Sequence, residues 1–134
     1  CNVEGTPMDL RVYTPIGAHL DDEFEQIKQA RGYDHNYEII GNCGELRHAA
    51  SARSKVSGIK MQVDTTLPGI QLYTANFLSK RKGKHNGLYD RNHAFCLETQ
   101  FYPDSPNQSA FLSPLLRSSE IYSHTTMFSF SVTP

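Results

Sequence analysis

What this chain lacks narrows its reading first. No apolar run approaches the roughly 18 residues a bilayer-spanning helix needs, which excludes such a helix. Charge of one sign is not in excess. The 13 Lys and Arg residues face 14 Asp and Glu, a formal net charge of −1, so nothing in the balance points to nucleic acid or an anionic membrane as partner. No basic segment followed by an apolar stretch marks a signal peptide. The three cysteines, Cys1, Cys43 and Cys96, have no paired spacing; this argues against a disulfide framework and for a reducing, cytoplasmic setting. His19, His35, His48, His85, His93 and His124 show no HxH, HxxxH or HExxH spacing, and no CxxC occurs. A protein-only metal site is therefore not expected. GxGxxG, the P-loop motif and GxSxG are also missing, which leaves dinucleotide, nucleotide-phosphate and serine-hydrolase readings unsupported.

What is present fits a single mainly β unit. The 134 residues are 38% apolar and 10% aromatic, enough for one core though leaner than average. The chain opens at Cys1 and reads at once as mid-protein sequence, so it is expected to be a piece of a longer polypeptide. Leu20, Phe24 and Ile27 recur at helical spacing behind a cluster of acids and predict one short helix ended by Gly32. From Tyr33 onward the period is closer to two. Tyr37, Ile39 and Ile40 predict a strand closed by Gly41-Asn42. Met61, Val63 and Thr65 form a second alternating run, and Pro68-Gly69 a turn. Ile70, Leu72 and Thr74 then alternate with Gln71 and Tyr73, placing those two on one face. The polar, basic segment from Ser79 to Gly87 reads as an exposed loop. Phe95, Leu97 and Thr99 oppose Cys96, Glu98 and Gln100 on a further strand. Pro103 to Pro114 reads as a loop, and Thr126, Phe128, Phe130 and Val132 close the chain as a strand. Strands with apolar faces in so short a chain call for cover by another sheet, which a missing part of the polypeptide would supply.

Polar residues set in apolar strand context are the candidates for chemistry. Glu98, between Leu97 and Thr99, is the sharpest. A carboxylate in a run that reads as buried strand is desolvated unless it faces a cleft, and desolvation raises a carboxyl pKa towards the range of a general base. The competing role is a structural carboxylate tied to an Arg or to backbone amides. Asp34, in Gly32-Tyr33-Asp34-His35-Asn36, is a short acceptor able to hold ligand hydroxyls or simply to form a turn. Gln71 and Tyr73 pair an amide with a phenol, a combination suited to neutral polyols; the alternative is an ordinary outward strand position. His35 and His93 could serve as acids or bases, or as structural groups.

Read in order, several strings carry more than any one alone. Glu4-Gly5-Thr6-Pro7-Met8-Asp9-Leu10-Arg11 comes first, then Gly32 to Asn36. Thr65-Thr66-Leu67-Pro68-Gly69-Ile70-Gln71-Leu72-Tyr73-Thr74-Ala75-Asn76-Phe77-Leu78 follows, then His93-Ala94-Phe95-Cys96-Leu97-Glu98-Thr99-Gln100 and Pro103-Asp104-Ser105-Pro106-Asn107-Gln108. Together these resemble the C-terminal portion of the aldose 1-epimerase (galactose mutarotase) family over essentially residues 1–134. The resemblance implies an antiparallel β-supersandwich with a sugar cleft on one sheet. By motif position it implies Glu98 as catalytic base, with Asp34 and Gln71 as sugar-binding groups. It also implies an aldohexose substrate, no cofactor, and a partner in the N-terminal half of the same protein, which carries the family's catalytic histidines. None of the six histidines here matches those motifs. Ala75, where glycine is common in the family, and Met8 and Leu10, in place of phenylalanines, are expected to be packing-scale departures. A non-catalytic sugar-binding module is the rival reading, as is a hexose-6-phosphate epimerase, which would gather basic side chains at its cleft.

Overall fold

The computed structural model describes residues 1–132. Its strands are β1 (Asp34–Glu38), β2 (Arg47–Arg53), β3 (Ile59–Thr65), β4 (Gly69–Tyr73), β5 (Arg81–Lys82), β6 (Leu88–Tyr89), β7 (Cys96–Gln100) and β8 (Thr126–Val132), with one α-helix, α1 (Glu25–Ala30). They form sheets of order β1-β4-β7 and β2-β3-β8, plus the β5-β6 pair. The mainly β expectation is met. Among the described residues no helix is long and apolar enough to cross a membrane. The chain divides into two compact units, residues 1–35 with 72–96 and residues 36–71 with 97–134.

In the first unit the helix is shorter than the apolar spacing predicts. Phe24 is extended, with φ −78° and ψ 130°, and serves as N-cap, so Leu20 to Glu23 lie outside α1. The paired aspartates explain the shift, because a short acid binds nearby groups more readily in a turn than in a helix. Here Asp22 Oδ2 lies 2.8 Å from His19 Nδ1. The stop falls where expected. Arg31 turns left-handed at φ 58°, and the Gly32 N–H returns to the Ile27 carbonyl, as in a Schellman-type ending. Ile27, Tyr33, Met8, Leu72 and Ala75 are buried.

A polar knot ties this unit together. Asn76, buried, donates to the Ala30 and Tyr33 carbonyls at 2.8 Å each and accepts from Thr74 Oγ1 at 2.6 Å. Gly32 is required beside it, because a Cβ there would strike the Asn76 carboxamide. Ala75 departs from the packing-scale expectation. It sits at φ 53° in the left-handed region, where a glycine would be unstrained, so the residue choice here bears on backbone conformation. The segment expected as a loop from Ser79 to Gly87 contributes β5, paired with β6 in an exposed hairpin.

The second unit holds the other core. Ile39, Val63 and Ile70 are buried, with Tyr37, Ala49, Ala50 and Leu97 packed against them. β2, which the sequence reading passed over, pairs antiparallel with β3, and β3 pairs antiparallel with β8. A bulge between His48 and Ala50 shifts the β2 register by one residue, and both alanines there reach the core. β1 ends earlier than predicted, at Glu38; Ile40 lies outside it and is 90% exposed. Arg47 ends the loop that follows. Its guanidinium donates to the carbonyls of Ile39, Ile40, Glu45, Thr65 and Leu67 at 3.1–3.5 Å. All seven residues of β8 are exposed, Phe130 at 68% and Val132 at 72%.

Candidate functional site

Strand alternation sorts the second unit's residues onto two sides. On β7, Leu97 packs against the core and Thr99 Oγ1 meets Thr126 Oγ1 at 2.6 Å, so Glu98 and Gln100 take the other side. On β4, Ile70 is buried and Gly69 and Gln71 fall opposite it. On β1, Tyr37 packs inward and Asn36 and Glu38 oppose it. The result is one polar face carrying Asn36, Glu38, Gln71, Glu98 and Gln100.

Three carboxamides on that face are joined. Gln100 Nε2 lies 3.4 Å from both Asn36 Oδ1 and Gln71 Oε1. Gly69 makes this possible. A Cβ at that position would come 2.6 Å from Asn36 Oδ1 and 3.0 Å from Tyr102 Cδ1, so a bare backbone is what lets these side chains lie over the central strand. Sequence reasoning gave Asn36 and Gln100 no role. The signal was nonetheless there, since each stands two residues along a strand from a chosen candidate, Asp34 and Glu98 respectively.

Glu98 differs from its expected setting. Its side chain is exposed rather than desolvated, and among the described residues no ion pair holds it. The physical reason is the alternation itself: its neighbours Leu97 and Thr99 point to the opposite side and leave the carboxylate in water. Gln71 is half-buried, as a residue lying within a polar layer would be. Asp34 opens β1, in the first unit, and is exposed. Its backbone N–H donates to His35 Nδ1 at 3.0 Å. Burial holds the His35 imidazole below its ordinary pKa, with the nearby Asp34 charge opposing more weakly.

Hollows occur elsewhere among the described residues. In the first unit Ile16, Leu20, Thr74, Asn92 and His93 line about 210 Å³. In the second, Phe101, Leu115, Leu116, Tyr122 and His124 line about 410 Å³. Neither is lined by Glu98, Gln71 or Asp34. Among the described residues, no three His, Cys, Asp or Glu side chains are grouped as metal ligands, and the cysteines are free thiols.

The polar face is thus a row of neutral donors and acceptors with two carboxylates, Glu38 and Glu98, on the same side. Such a surface can hold uncharged hydroxyls and take one proton. Galactose mutarotase from Mus musculus is 44% identical over 136 residues, covering 97% of this chain and 36% of the mouse protein. The Homo sapiens galactose mutarotase is 43% identical with the same coverage. Aldose 1-epimerase from Escherichia coli (strain K12) is 32% identical, covering 96% of this chain and 38% of the bacterial protein. The chain therefore spans little more than a third of these relatives' length. A crystal structure of a GalM/aldose epimerase homologue from C. elegans superposes with a TM-score of 0.68 at 29% identity, over 76% of this chain and 30% of that one. The sequence profile described as Aldose 1-epimerase matches residues 1–129, and on this match the chain belongs to the aldose 1-epimerase family.

Proposed function

We propose that this chain carries the base and part of the sugar-holding surface of an aldose 1-epimerase acting on aldohexoses such as galactose and glucose. The observation that supports this best is the shared polar face of Glu98, Gln71, Gln100 and Asn36, turned away from the second unit's core.

The chemistry follows from the hemiacetal. Inversion at C1 opens the ring, rotates about C1–C2 and recloses. Glu98 takes the proton of the C1 hydroxyl while an acid protonates the ring oxygen. On reclosure the two proton transfers run in reverse, so neither atoms nor electrons are gained. Gln71 and Asp34 hold ring hydroxyls, which keeps the opened aldehyde in place for reclosure. The acid comes from the part of the family's length that this chain does not span, as the resemblance implies for the catalytic histidines.

Polarimetry on freshly dissolved α-D-galactose or α-D-glucose tests this. The full-length polypeptide accelerates mutarotation, and residues 1–134 alone do so little. In the full-length polypeptide Glu98→Gln lowers kcat by about 10²–10⁴-fold, the usual contribution of a positioned acid–base group, with a smaller effect on KM. Parental turnover in that variant would remove Glu98 from the mechanism.

A further inference from the structure

The bulge in β2 gathers a short relay of side chains on one face of the β2-β3-β8 sheet. His48 and Ser51 are three residues apart, and in a regular strand they would point to opposite sides. Because the register slips between His48 and Ala50, His48 stands opposite Asp64 and Ser51 opposite Gln62. Asp64 and Gln62 are two apart on β3 and share a side. All four side chains therefore lie together, away from the core that Val63 enters.

The contacts run in one direction. Gln62 Nε2 donates to both Asp64 carboxylate oxygens, at 2.9 and 3.2 Å. The Asp64 side chain is only 11% exposed, and its Oδ1 lies 3.6 Å from His48 Nδ1, a charge approach rather than a hydrogen bond. His48 Nε2 is 3.4 Å from Ser51 Oγ. A carboxylate only accepts, so it favours the imidazole hydrogen on Nδ1 and leaves the Nε2 lone pair for the Ser51 hydroxyl. Turning the Gln62 amide over would set its oxygen against the carboxylate. Moving the imidazole hydrogen to Nε2 would set the Nδ1 lone pair there instead. The polarity is thus fixed from the buried end. Bulges re-aim side chains at working sites, and serine relays are recognised by geometry rather than by sequence order. The missing GxSxG motif excludes a strand-to-helix elbow, not a relay on a bulge.

We propose that Ser51 is a nucleophile that accepts an acyl group from small activated esters, with His48 as its base and Asp64 positioning the imidazole. Neither Glu98 nor the sugar face takes part. In the step, Ser51 Oγ bonds to the acyl carbon and its hydrogen passes as a proton to His48 Nε2. The bond from that carbon to the phenol oxygen breaks, and its electron pair leaves on the phenolate. The imidazolium then releases its proton to solvent, and nothing is oxidised or reduced. Contacts of this length are common before a reactant binds.

Treatment of the full-length polypeptide with p-nitrophenyl acetate at pH 8 tests this, read by p-nitrophenolate release and by peptide mass spectrometry. Thiols are blocked first, because Cys1, Cys43 and Cys96 are free and thiolates compete for such esters. Ser129 is the internal comparator. It lies opposite Gln62 on β8, on the same face, and is more exposed than Ser51. Ser51 is acetylated about tenfold faster than Ser129 or more, and His48→Gln removes that advantage, as loss of a positioned base does. Ser51→Ala abolishes the adduct at that position and leaves the circular dichroism spectrum unchanged. In ¹⁵N NMR spectra the neutral His48 ring of the parent carries its hydrogen on Nδ1. Asp64→Asn moves it towards Nε2 and slows Ser51 acetylation severalfold. Equal acetylation of Ser51 and Ser129, a parental rate in His48→Gln or Asp64→Asn, or an Nε2–H tautomer in the parent would each overturn the proposal.

Discussion

His35 shows how one residue couples burial to pH. The ring nitrogen Nδ1 accepts the Asp34 N–H at 3.0 Å, a bond that needs that nitrogen unprotonated. Burial lowers the pKa of the folded state below the ordinary histidine value. As pH falls through about 6.5, the unfolded chain takes up a proton before the folded one does, so stability is lost on the acid side. Above that pH both states are neutral and the effect vanishes. Urea midpoints at pH 8 and pH 5.5 check this: the parent's midpoint falls, and His35→Phe loses the part of the fall due to this ring. The sequence placed His35 beside a candidate site residue but could not show this, because half-burial is a property of neighbours distant in the chain. Glu98 is the converse case. Its apolar neighbours suggested burial, yet alternation sends them to one side and the carboxylate to the other, so the same local pattern that identified the residue misread its solvation.

Elements were legible where the period was strict. β3, β4, β7 and β8 follow from alternation at Met61 to Thr65, Ile70 to Thr74, Phe95 to Gln100 and Thr126 to Val132. β2 escaped notice because its sequence, Arg47 to Arg53, is alanine and polar residues, and its place is set by pairing with β3 and by a bulge. The loop before β2 depends on one side chain. Arg47 satisfies five backbone carbonyls from both sides of that loop and of the turn after β3. Carbonyls left without a donor in a partly buried setting are costly. Arg47→Ala therefore lowers unfolding free energy by about 2–3 kcal/mol, in line with charge-assisted bonds lost together. Arg47→Lys recovers less than half of that, because a single ammonium cannot span the same fork. Urea denaturation followed by circular dichroism would separate the two variants, and equal midpoints for parent and Arg47→Ala would refute the role.

At the scale of the molecule, the expectation that apolar strand faces need further cover has a visible counterpart. Among the described residues β8 pairs with β3 alone in its sheet, and Phe128, Phe130 and Val132 stand 46%, 68% and 72% exposed. An apolar strand with one unpaired edge recruits other chains. Residues 1–134 produced alone are expected to self-associate as concentration rises, by light scattering. Phe130→Lys should shift that onset at least severalfold higher, and an unchanged onset would place the sticky surface elsewhere. The division of the chain has its own consequence. The backbone passes from one compact unit to the other three times, after His35, Gln71 and Cys96. Each unit is therefore stitched from two separate stretches, and one protease nick cannot release either as an uninterrupted fragment. Subcloning either unit would need its two stretches rejoined by a designed linker.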